Sequence, residues 1–99
     1  MARIYDALLG PDGRVDRALY ARVCNVFYQV IEKSFVEDRS RVTRDETVRR
    51  FRLLEQVFRE LREEAWSVER ILFVLPKALR AKLDGAPFEP ANESRIWAP

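Results

Sequence analysis

Apolar residues recur along this chain at helical spacing, and between Arg14 and Glu37 they occupy far more of a helix than one buried face requires. At 100° per residue, the apolar positions from Val15 through Phe35 spread over an arc of about 240°. An ordinary surface helix buries an arc of roughly 100° or slightly more. The pattern predicts a long helix whose surplus apolar surface is covered by several neighbours or by a second copy of the chain. A two-layer bundle of one chain is expected to leave part of it bare.

Other elements follow from the same periodicity and its punctuation. Ala2 to Leu9 pairs Ile4 with Leu8 and Tyr5 with Leu9, and Gly10-Pro11 then stops the helix. Asp12 is the expected cap of the long helix, with Gly13 in the turn. The charged segment 38–43 reads as a connection. Thr43 and Glu46 form a capping box for the next helix, in which the Glu46 carboxylate reaches back to the start.

That helix carries Val48, Phe51, Leu54, Val57, Phe58, Leu61 and Ala65 on one side, a seam suited to packing against the first long helix. A short connection makes the two antiparallel neighbours. Beyond Glu64, either the helix continues to Leu75 or it breaks at Trp66-Ser67, with Ser67 capping a new helix; the break is the preferred reading. Ile71 to Leu75 is apolar on every side and demands burial. Pro76 is expected to start a final helix that runs to Leu83, with Gly85 beyond its end.

The expected architecture is all-α: a small helical bundle built on a long antiparallel helical hairpin. Residues 1–85 form one helical domain, and residues 86–99, with three prolines and no periodicity, form an extended C-terminal tail. The tail carries Phe88, Ile96 and Trp97, which are candidate anchors for a groove on the bundle or on a partner.

Composition narrows the function classes. The single cysteine, Cys24, rules out an internal disulfide. The N-terminus has no apolar signal core, and the longest apolar run, Ile71 to Leu75, is far short of a membrane span. A cytoplasmic protein without membrane contact is expected. Arg supplies 15 of the 18 cations, while Asn and Gln number two each, a balance compatible with a thermophilic source or with a GC-rich genome. The chain has no His, which removes the commonest general base and metal ligand, and no acid pair lies on an apolar wall. Gly10 to Asp16 resembles half a calcium loop only superficially, because Leu8 and Leu19 stand where carboxylates are needed. No cofactor, metal or catalytic residue is expected.

Two candidate surfaces remain. Tyr20, Cys24, Phe27, Tyr28, Ile31 and Phe35 lie on one side of the first long helix and are the expected interface of a homodimer, with an unidentified larger assembly as the further protein partner. Arg39, Arg41, Arg44, Arg49, Arg50 and Arg52, against Asp45 and Glu46, give a local charge of 6 − 2 = +4, and Lys77, Arg80 and Lys82 add a second basic cluster. These cations are the candidates for sequence-independent contact with a nucleic-acid backbone. The leading expectation is a non-enzymatic, self-associating interaction protein; the alternative is a small basic nucleic-acid-binding subunit. A solvated surface with ordinary cations explains the basic residues equally well.

Overall fold

The computed structural model describes residues 4–10 and 12–88, and its regular structure is helical apart from one antiparallel bridge between Leu9 and Val15. The elements among these residues are α1 (Ile4–Ala7), α2 (Arg17–Asp38), α3 (Arg44–Glu63) and α4 (Val68–Asp84). Side-chain contacts fix the directions of the long helices. Phe35, late in α2, stacks under the guanidinium of Arg50, early in α3, while Phe27 meets Phe58 further along α3. Those two helices run in opposite directions. Arg22 of α2 pairs with Glu69 at the start of α4, and Asp38 at the end of α2 pairs with Arg80 near the end of α4, so α2 and α4 run parallel.

The helix ends follow local chemistry. Asp16, rather than Asp12, caps α2, accepting from the amides of Ala18 and Leu19 at 2.9 and 3.2 Å. Asp12 instead accepts from the Arg14 amide inside the preceding turn, so the helix begins three residues later than its apolar pattern suggests. Thr43 caps α3 through the Glu46 amide and Ser67 caps α4 through the Arg70 amide. The expected reciprocal contact from Glu46 is replaced: its carboxylate accepts from Arg49 and Arg50.

Each long helix closes with a left-handed residue, Arg39, Ala65 or Gly85, and the following amide bonds back across the last turn. Only the third is the glycine that this backbone prefers. The chain does break at Trp66-Ser67. It does not break at Pro76, which lies inside α4. The missing N–H and the ring clash cost about 3 kcal/mol in a helix interior. Ile71, Val74, Leu75 and Leu79 around it are each at most 1% exposed, and burying one such side chain contributes roughly 1.5–3 kcal/mol. Packing outweighs the proline.

The core is shared by all four helices. Val23, Phe27 and Ile31 of α2 meet Leu54, Phe58 and Leu61 of α3 and Ile71, Leu75 and Leu79 of α4, with Ile4 and Leu8 adding cover from the N-terminal segment. Phe27 is edge-on to both Phe51 and Phe58, at centroid distances of 5.2 and 6.0 Å, a geometry that aromatic rings favour. The broad apolar arc of α2 is thereby explained within one chain, because α3 covers one side of it and α4 the other. The expectation that a single chain leaves Phe35 bare is overturned: Phe35 is 3% exposed.

Ala65→Gly is expected to stabilise the fold by about 0.5–1 kcal/mol, since it relieves a Cβ clash at φ 65°. A urea unfolding curve checks this, and an unchanged or lower midpoint would count against the assigned cap.

Candidate interaction surfaces

The six aromatic and apolar residues predicted as an interface separate into two groups. Phe27, Ile31 and Phe35 are buried in the bundle itself and offer nothing to a second molecule. Tyr28 is 52% exposed and leans on Phe51 at a centroid distance of 5.4 Å, while Tyr20 is at the margin of exposure and Cys24 is half-buried between them. Burial pushes the Cys24 thiol up from its ordinary value. A thiol held protonated is a poor nucleophile and a poor metal ligand. No group of three or more potential metal ligands occurs among the described residues.

Of the outward face of α2, sequence reasoning named Tyr28 and missed the exposed residues around it. Ala18, Ala21, Asn25, Tyr28, Gln29, Glu32 and Val36 are all exposed and fall on one stripe of the helix. No charged residue occurs from Val23 through Ile31. The outward side of α3, by contrast, carries Arg44, Asp45, Arg52 and Glu63. A stripe of small, amide and aromatic side chains whose one charged member is Glu32 has the composition of an interface centre. The signal was present in the spacing of 18, 21, 25, 28 and 32, but the more conspicuous apolar arc beside it masked the pattern.

The basic residues also divide. Arg50, read as part of a phosphate-binding run, is buried. Its guanidinium donates to Ser34 Oγ at 2.7 Å, to Asp38 Oδ2 at 3.0 Å and to Glu46 Oε1 at 3.1 Å, and it lies 4.2 Å from the Phe35 ring centre. The Ser34 hydroxyl in turn donates to the Ile31 carbonyl at 2.6 Å. Arg50 is therefore a core residue. It sits one turn before Leu54 on the line continued by Val57 and Leu61, and that register could have distinguished it from its neighbours.

Arg80 reaches Asp38 at 2.9 Å and Asp84 at 3.3 Å, and Arg49 pairs with Glu46 at 2.7 Å. Arg39, Arg41, Arg44, Arg52 and Lys82 are exposed and have no acidic partner among the described residues, whereas Lys77 is engaged. Phe88 is half-buried against the core and lines a cavity together with Val57, Leu61 and Lys82. Ile96 and Trp97 lie outside the described residues.

No helix among the described residues is long and apolar enough to cross a membrane. No protein-family model, curated protein or solved structure matches this chain.

The Arg50–Asp38–Arg80 cluster generates a pH dependence. Hydrogen bonding from Arg80 holds Asp38 below the usual carboxylate range, and hydrogen bonding from Arg50 does the same for Glu46. A carboxylate whose folded pKa is depressed contributes stability that is fully present above its unfolded value and is lost as pH falls through the folded one. Stability is expected to fall below about pH 4, and Asp38→Asn to flatten part of that slope in urea titrations at successive pH values. Arg50→Ala is expected to cost about 2–3 kcal/mol at neutral pH, through lost packing on Phe35 and lost ionic hydrogen bonds. A loss under about 0.5 kcal/mol in chemical denaturation would contradict the role assigned to Arg50.

Proposed function

We propose that this protein is a non-enzymatic helical interaction module that self-associates through the outward face of α2 and serves as an accessory piece of a larger assembly. The observation that carries the reading is the uncharged exposed stripe around Asn25, Tyr28 and Gln29, on a bundle whose other long helices are heavily charged outside. Tyr supplies broad contact area at low conformational cost and is enriched in such surfaces. Two features support a non-enzymatic role. The chain has no His, and its buried Arg50 is already committed to Ser34, Asp38 and Glu46.

A second reading has a narrower basis. Arg39, Arg41 and Arg44 cluster at the α2–α3 connection with their cations exposed, which suits weak, sequence-independent contact with a phosphate backbone. With Arg50, Arg49 and Arg80 engaged by acids, the footprint is smaller than the sequence suggests.

Tyr28→Glu is expected to convert an associating wild type into a folded 11.7 kDa species by sedimentation velocity, with a modestly lower unfolding midpoint because the contact with Phe51 and the dimer are both lost. A wild type that sediments as a monomer up to high protein concentration would end the self-association reading. For the second reading, Arg41→Glu with Arg44→Glu should abolish any low-salt retardation of nucleic acid. No retardation of the wild type removes that reading.

A further inference from the structure

The geometry points to an antiparallel, two-fold dimer in which the outward face of one α2 lies along the same face of a second copy, with Glu32 fixing the direction. This rests on the self-association reading and adds its register. Glu32 is exposed near the middle of the stripe's width, toward its C-terminal end. A parallel pairing of equivalent faces would set Glu32 against its own symmetry mate, a repulsion between like charges in a partly desolvated seam.

The antiparallel arrangement removes that conflict. With the two-fold axis between Asn25 and Tyr28, Glu32 of one copy approaches Ala18 and Ala21 of the other. These small side chains allow close approach, and they are flanked on one side by Arg17 and on the other by Arg22. Arg17 is exposed at the first turn of α2, and Arg22, although paired with Glu69, keeps 55% of its side chain exposed. At each of the two symmetry-related ends of the seam, Glu32 of one copy would meet Arg17 and the Arg22–Glu69 pair of the other. Shape agrees with charge: the bulky half of the stripe, Tyr28 to Val36, meets the small half, Ala18 to Asn25. Antiparallel alignment also opposes the two helix dipoles, whereas α2 already lies parallel to α4 inside its own bundle.

The test uses the whole chain and two readouts. In sedimentation equilibrium, Glu32→Arg is expected to weaken the dimer about tenfold, Arg17→Glu to weaken it comparably, and the two together to restore it to within about threefold of the wild type. Both positions are exposed, and a Glu at the first turn suits the helix dipole, so neither variant should lose the fold.

In a Cys24→Ser background, Asn25→Cys and Ala18→Cys are then treated with a short bismaleimide. Antiparallel packing places the two copies of position 25 about 5 Å apart along the seam and those of position 18 about 25 Å apart. The expected result is efficient crosslinking at 25 and little at 18. A dimer that crosslinks equally at both positions, or that the double charge exchange fails to restore, overturns the antiparallel register while leaving self-association intact. A monomeric wild type overturns both.

Discussion

Asp38 is the point at which the three long helices are tied together. It is the last residue of α2, and its two carboxylate oxygens accept from Arg50 of α3 and Arg80 of α4. Arg50 makes this junction more than a surface ion pair, because its guanidinium is buried and stacked on Phe35. Burying that cation is tolerable because Ser34, Asp38 and Glu46 together accept a hydrogen bond from each of its three nitrogens. The hydroxyl of Ser34, at a core position of α2, is what allows an Arg on α3 to enter the core opposite it. The cluster thus sets the relative height of α2 and α3, and Arg80 sets α4 against both.

The same end of the molecule explains an oddity in α2. Its first turn has no acid and its last turn no base, and its ionised side chains run against its own dipole, with Arg17 and Arg22 early and Glu37 and Asp38 late. Helices α3 and α4 follow the usual polarity, with Asp45, Glu46 and Glu69 in first turns and Arg62 and Lys82 in last turns. The inversion is what a parallel neighbour requires. Two parallel helices oppose like dipole ends, and α2 answers Glu69 with Arg22 at one end and Arg80 with Asp38 and Glu37 at the other. α3 closes the bundle from the antiparallel direction, where dipoles already attract.

Much of the local structure was legible in the sequence, because caps act over a few residues. Thr43, Ser67 and Gly85 mark their helix ends by chemistry that needs no tertiary context. What depended on packing was less legible. Asp12 reads as the cap, but the Leu9–Val15 bridge extends the turn and leaves Asp16 to cap the helix. Pro76 reads as a boundary until Ile71, Val74, Leu75 and Leu79 are seen to hold the helix through it. The width of the α2 girdle is legible in the sequence, but whether neighbours in the chain or a second copy cover it is not: periodicity gives the width of a buried face and not the identity of what buries it. Arg50 was hidden among similar residues, and only its alignment with Leu54 and Leu61 separates it from the solvated Arg44 and Arg52.

With the girdle buried internally by α3 and α4, the outward side of α2 is left with the charge-poor stripe from Ala18 to Val36. The parallel pairing of α2 with α4 is therefore the claim on which the rest stands. A reciprocal charge exchange at its open end tests it most directly: Arg22→Glu, Glu69→Arg and the double variant, compared by urea denaturation at low ionic strength. Each single exchange is expected to lower the unfolding midpoint, and the double exchange to recover most of the loss. A double variant as unstable as the sum of its parts would place those two residues apart and contradict the arrangement.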